Sequence, residues 1–86
     1  MGLEVLAALK EKKRTIGTKQ TMKAVDKNQA AIVFVAGNAD RRVTEPLIDI
    51  CQAKGITVET VESMDALGKA CGVDVGTASA AVLKPE

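Results

Sequence analysis

Residues 17 to 25, Gly-Thr-Lys-Gln-Thr-Met-Lys-Ala-Val, combine the start of a helix with a dense positive charge. The hydroxyl of Thr18 is suited to accept from the backbone N–H of Gln20 or Thr21, and Gly17 lets the chain before it take any angle or approach a ligand closely. A helix is therefore expected from about Lys19. At helical pitch Lys19, Gln20, Lys23 and Lys27 share an arc of roughly 100°, with Met22 and Val25 on the opposite side. The lysines, the unsatisfied N–H groups of a first turn and the positive end of the helix dipole together suit a phosphate-rich or purine-edge ligand. A solvated amphipathic helix accounts for the same lysine stripe, so the decision rests on the rest of the chain.

Charge is the first discriminator. The 86 residues carry a net charge of only +1, but the charge is unevenly spread. Between residues 10 and 27, Lys10, Lys12, Lys13, Arg14, Lys19, Lys23 and Lys27 stand against Glu11 and Asp26, a local excess of +5, and all other residues together carry −4. A confined basic face on a body that repels polyanions is the electrostatic footprint of a nucleic-acid module. With Phe34 as the one aromatic residue, base stacking on a row of aromatic side chains is excluded, and with it an RNA-recognition motif or a cold-shock barrel.

Other chemistries find little support. The chain contains no histidine, and Ser63, Ser79, Cys51 and Cys71 sit in no recognisable nucleophile motif, so an enzyme is not expected. Cys51 and Cys71 are too far apart for a Cys-x-x-Cys and read as buried thiols in a reducing cytosol; neither a metal nor a cofactor is expected. Gly68, Gly72 and Gly76 match neither a dinucleotide fingerprint nor a P-loop and are explained by a helix end and a loop. The turn Gly37 to Asp40 could border a nucleotide crevice of the doubly wound type, although a plain strand-to-helix turn explains it better. Val73-Asp74-Val75 places two apolar side chains in a segment that should be polar, so at least one is a candidate for contact with a partner; Val73 alternatively completes a helix end. The longest apolar run, Ala30 to Ala36, is too short to span a bilayer, and no signal peptide or myristoylation pattern opens the chain, so a cytoplasmic protein is expected.

The elements that must position these residues alternate between helix and strand. Leu3, Val5, Leu6 and Leu9 predict a helix from Leu3 to Lys13, closed by cations. Arg14 to Ile16 is a short extended link or edge strand leading to the basic helix, which Asp26-Lys27-Asn28 ends. Ala31 to Ala36 is continuously apolar and predicts a central strand covered on both faces. Thr44 is the expected N-cap of the next helix, with Pro46 in its first turn and Leu47, Ile48, Ile50 and Cys51 on its buried side. Gly55 ends that helix, and Ile56 to Val61 alternates as a strand. Ser63 caps a helix from Met64 to Ala70, ended by Cys71-Gly72, and Ala78 to Leu83 forms a final strand. One domain spanning residues 1–86 is expected, of α/β class, as a three-layer α-β-α sandwich around a small mixed sheet.

Two separated segments also resemble a known family. Gly17 to Val25 is similar to the Gly-Ala/Thr-Asn-Glu-x-x-Lys signature of the ribosomal L-seven-Ae family of kink-turn RNA-binding proteins, and Leu67 to Val75 resembles that family's second RNA-contacting loop with its preceding helix. The form Gly-Thr-Lys-Gln-Thr is most similar to the small stand-alone bacterial members. The resemblance implies an α-β-α sandwich whose basic helix enters the widened major groove at tandem sheared G·A pairs while the second loop meets the extruded nucleotide of the bulge. By position it assigns groove and backbone contacts to Gly17, Thr18, Lys19, Gln20 and Lys23, and the bulge contact to Val73, Asp74 and Val75. Lys19-Gln20 replaces the Asn-Glu of the archaeal and eukaryotic signature. A neutral amide accepts more weakly from guanine than a carboxylate does, and Lys19 restores some attraction to phosphate. The implied partners are structured RNA, with ribosomal RNA and the ribosome among them, bound by a monomer with no membrane. A protein-interaction adaptor of the same fold without RNA is the rival, and the charge split favours RNA.

Overall fold

The computed structural model describes residues 13–84, which follow the order β1 (Arg14–Ile16), α1 (Thr18–Asp26), β2 (Ala30–Ala36), α2 (Arg41–Lys54), β3 (Thr57–Val61), α3 (Met64–Cys71) and β4 (Ser79–Leu83). The helix expected over Leu3 to Lys13 lies outside the described residues except for Lys13, a bend whose carbonyl accepts from Leu83 N–H at 3.0 Å. The four strands form one mixed sheet in the order β1-β4-β2-β3, with β2 parallel to β3 and the other pairs antiparallel.

The apolar run around Phe34 is a strand with two buried faces. Val33 and Val35 pack with Val25 of α1 and with Leu47 and Cys51 of α2, while Phe34 and Ala36 pack with Leu67 and Cys71 of α3. Helices thus cover both faces, and the α-β-α sandwich expected from the sequence is the observed architecture. Each helix buries a stripe at helical spacing: Thr21, Ala24 and Val25 in α1; Thr44, Leu47 and Cys51 in α2; Leu67, Gly68 and Cys71 in α3. Strand β4 fills the middle of the sheet with small residues, Ala80 against the α3 layer and Ala81 against the α1 and α2 layer. The register between β2 and β4 slips by one residue between Ala30 and Ile32. The extra residue, Ala31, is exposed, and the slip brings Ala30 onto the same face as Val33 and Val35.

Three expected boundaries hold closely. Gly55 at φ 72° ends α2 and Gly72 at φ 79° ends α3, both in the left-handed region that glycine enters without a Cβ penalty. Ser63 caps α3, its hydroxyl accepting from Ala66 N–H at 3.1 Å. The start of α2 differs from expectation. Asp40, not Thr44, is the N-cap: its Oδ1 accepts from Arg42 N–H at 2.9 Å, while Thr44 lies buried inside the helix. Pro46 accordingly falls in the second turn instead of the first. Asp40 prevails because its carboxylate takes both the backbone N–H and the guanidinium of Arg42, the latter at 2.9 Å, and no such second partner is held by Thr44.

Both cysteines are free and buried, as expected. Burial pushes both thiols up from their ordinary value; at Cys71 the nearby Arg14 charge opposes this in part.

The hydrogen bonds from the Arg42 side chain and then from its backbone hold the Asp40 carboxyl below the usual carboxylate range. A carboxyl lowered in the folded state stabilises the fold above the unfolded-state value, and this contribution is lost as pH falls through the folded one. We expect Asp40→Ala to lower the urea midpoint at pH 7, with the difference from the native protein shrinking below about pH 4, and Asp40→Asn to lose less because its amide oxygen still caps. Equal midpoints for Asp40→Ala and the native protein across this range would remove Asp40 as the cap.

Candidate functional site

The basic helix begins one residue earlier than expected, and its cap is different. Gly17 occupies the N-cap position at φ 91° and ψ 154°, a backbone region open to glycine, and no side chain caps the helix. Thr18 is the first helical residue, and its hydroxyl bonds to Ser79 Oγ at 2.6 Å instead of to Gln20 or Thr21 N–H. The first bond of the helix runs from Thr21 N–H to Gly17 carbonyl at 3.0 Å, so the N–H groups of Thr18, Lys19 and Gln20 precede the helical ladder. The same turn is fastened to the sheet from below. Gly17 N–H donates to Ser79 carbonyl at 2.8 Å, and the buried Thr21 hydroxyl bonds to Thr15 Oγ1 at 2.8 Å.

Packing fixes which side of α1 faces outward. Val25 is fully buried and Met22 half-buried, while Lys19, Gln20, Lys23 and Lys27 are exposed, as the helical arc predicted. The glycine and the three leading polar side chains therefore form an open, positively charged helix start.

The second segment follows α3. Val73 is half-buried against the Phe34 cluster and its N–H donates to Gly68 carbonyl at 3.0 Å, so it completes the helix end. Asp74 and Val75 are exposed, Val75 by 70%. The loop then folds back over its own helix. The Val75 carbonyl lies where a side chain on Gly68 would have to be, Gly76 packs beside Met64 and Asp65, and Thr77 N–H donates to Met64 carbonyl at 3.2 Å. A cleft of about 330 Å³ separates helix and loop, lined by Asp65, Lys69, Val73, Asp74 and Val75. Lys69 escaped the sequence reading; the signal that marks it is a lysine in the last turn of α3, one helical turn before Val73.

The sheet register brings the two segments to the same end of the molecule. Ile16 faces Ala80 and Ser79 faces Val35, so the end of β1, the start of β4 and the end of β2 lie together. The end of β3 joins them through the bond from Gly37 N–H to Val61 carbonyl at 2.7 Å, and the start of α3 through that from Met64 N–H to Asn38 Oδ1 at 2.8 Å. A smaller cleft of about 260 Å³ near Gly37, Ala39, Arg41 and Glu45 corresponds to the turn considered for nucleotide binding. The Asp40 carboxylate already takes an N–H at the adjoining helix start, which leaves that turn poorly suited to phosphate. Among the described residues, no group of three or more His, Cys, Asp or Glu is placed to hold a metal ion, and no helix is long and apolar enough to cross a membrane.

Residues 2–86 match the Ribosomal protein L7Ae/L30e/S12e/Gadd45 family. The chain belongs to this family. Its relatives include RNA-binding protein TTE2299 of Caldanaerobacter subterraneus subsp. tengcongensis, 42% identical over 69 residues that make up 80% of this chain and 84% of the relative. RNA-binding protein YbxF of Geobacillus stearothermophilus is 40% identical over 72 residues, 84% of this chain and 88% of that protein. Among solved structures, the Giardia lamblia 15.5kD RNA binding protein superposes with a TM-score of 0.86 at 29% identity, covering 95% of this chain and 69% of that one. A protein with unknown function from Bacillus halodurans C superposes at 0.83 and 26% identity, over 95% and 83% of the two chains.

In this L7Ae-family chain the loop after α3 is held against a glycine with no space for a methyl group. Gly68→Ala is expected to destabilise the fold by about 1–3 kcal/mol in urea unfolding, as overpacking of a close contact does. It should also move the backbone amide resonances of Asp74 and Val75 more than those of Lys19 and Gln20. Unmoved loop resonances and an unchanged midpoint would show that the Gly68 contact does not set the loop's position.

Proposed function

We propose that this protein binds structured RNA of the kink-turn type and holds it in its bent form, without catalysing a reaction on it. The observation that carries the proposal is the open start of α1, with Lys19, Gln20 and Lys23 exposed, at the same end of the sheet as the exposed Asp74 and Val75. Membership of the family and the names of relatives as RNA-binding proteins support the ligand class. The family description, which names ribosomal proteins, supports a ribosomal setting. The working unit in this proposal is a cytoplasmic monomer acting as one domain.

In the proposed mode, α1 enters the widened major groove beside tandem sheared G·A pairs. Gly17 and Thr18 let backbone and hydroxyl approach the RNA, Lys19 and Lys23 meet phosphates or guanine acceptors, and Gln20 accepts from a guanine edge. Val73, Asp74 and Val75 form the second contact at the extruded nucleotide, with Val73 supporting the two exposed residues from the core side. The proposal is tested by energy transfer between dyes on the two arms of a kink-turn RNA. The signal should rise on titration with the protein, and a flat signal at saturating protein would overturn the proposal.

Gln20 provides a sharper test. Gln20→Glu offers guanine a charged acceptor, worth roughly 1–2 kcal/mol more than a neutral one where the donors are desolvated. The added charge costs on the order of 0.5 kcal/mol against a phosphate about 8 Å away at a dielectric of about 80, with Lys19 and Lys23 offsetting part of that. The gain exceeds the cost, so Gln20→Glu should bind an RNA with tandem G·A pairs about two- to tenfold more tightly and a plain duplex more weakly. Slightly weaker binding to both RNAs would place Gln20 outside the guanine contact.

A further inference from the structure

Ser79 opens β4 with no solvent exposure, and its carbonyl and hydroxyl both meet the two segments of the candidate site. Its carbonyl accepts from Gly17 N–H at 2.8 Å and from the Thr77 hydroxyl at 2.9 Å. Its own hydroxyl lies 2.6 Å from Thr18 Oγ1. Gly17 and Thr18 begin the basic helix, and Thr77 closes the loop that carries Asp74 and Val75. One buried residue therefore ties both segments to the sheet.

The direction of the Thr18 to Ser79 bond follows from burial. A hydroxyl hydrogen sealed from water must find an acceptor within the protein, or its desolvation is uncompensated. Among the described residues, the acceptor beside the Ser79 hydroxyl is Thr18 Oγ1. Thr18 is half-exposed and can give its own hydrogen to solvent or a ligand. The favoured arrangement has Ser79 donating to Thr18, which leaves the Thr18 hydrogen free to point away from Ser79. A hydroxyl that already accepts a hydrogen bond is polarised into a stronger donor.

We propose that Ser79 is a positioning residue for RNA, which fixes Thr18 as an outward hydrogen donor to a phosphate or base acceptor. This rests on the RNA-binding reading above. Ser79 touches no RNA itself; it acts through Thr18.

The test measures the affinity of purified variants for a kink-turn RNA and for a plain duplex, with urea midpoints recorded in parallel. Thr18→Val should weaken kink-turn binding about three- to tenfold, the size expected for one hydrogen bond to a polar or charged acceptor, and Thr18→Ser should recover most of that loss. Ser79→Ala should weaken it by a similar factor, and the Thr18→Val/Ser79→Ala double variant should bind no more weakly than Thr18→Val alone. A Ser79 with a merely structural role would lower the urea midpoint while its effect on affinity multiplied with that of Thr18→Val, and this would overturn the proposal. If Ser79→Ala does not fold, Ser79→Cys, a weaker donor at the same place, takes its part: weaker kink-turn binding that is not weakened further in Thr18→Val/Ser79→Cys than in Thr18→Val supports the proposal, and an unchanged affinity or a multiplied effect overturns it. Native protein that prefers the kink-turn while Thr18→Val binds as tightly as native overturns this inference alone. Native protein with no preference between the two RNAs overturns the RNA reading and this inference with it.

Discussion

Keeping water from both faces of β2 is the constraint from which the remaining arrangement follows. Val33 and Val35 on one side and Phe34 and Ala36 on the other are almost wholly buried, and a chain this short has only three described helices with which to cover them. Helix α1 contributes Thr21, Ala24 and Val25 to that cover, which leaves Lys19, Gln20 and Lys23 no direction but outward. Helix α3 contributes Leu67 and Cys71, so the chain leaving it must return across Gly68 to reach β4. The candidate site is in this sense the geometric complement of the core.

Much of this was legible in the sequence because it is local. Helical spacing marked α1 and α2, a cap and a glycine marked α3, the apolar run marked the doubly buried strand, and Gly55, Ser63 and Gly72 announced helix ends that the structure bears out. The misses were of one kind. Thr18 and Thr44 both satisfy the rule for a capping residue, but that rule considers only the few residues that follow. What displaced Thr18 was Ser79, sixty-one positions away, and what displaced Thr44 was Asp40, whose carboxylate accepts hydrogen bonds from both the backbone and the guanidinium of Arg42. The slip at Ala31 was equally hidden, since a bulge depends on the partner strand and leaves no mark in its own alternation. The basic stretch and the Val73-Asp74-Val75 loop could be named from the sequence, whereas their shared end of the sheet required the register of β4 against β1 and β2.

The two segments differ electrically. The start of α1 combines lysines with helix N–H groups, which favours anions. The loop after α3 has Asp74 at its tip and Asp65 beside Lys69 in the adjoining cleft, a mixed environment less favourable to a row of phosphates. In the proposed mode the first segment thus carries the attraction to backbone, and the second is left to meet a base. In that mode the net negative charge of the remaining residues disfavours other approaches of a polyanion.

Strand β4 follows the other three strands in the chain, yet it lies between β1 and β2. While the protein is being synthesised, β1 and β2 therefore have no route to each other until residues 79 to 83 are available to bridge them. The bonds of Gly17 and Thr18 to Ser79 likewise form only when β4 is present. Closure of the described sheet thus depends on contacts between residues far apart in sequence, the kind of pairing that forms slowly.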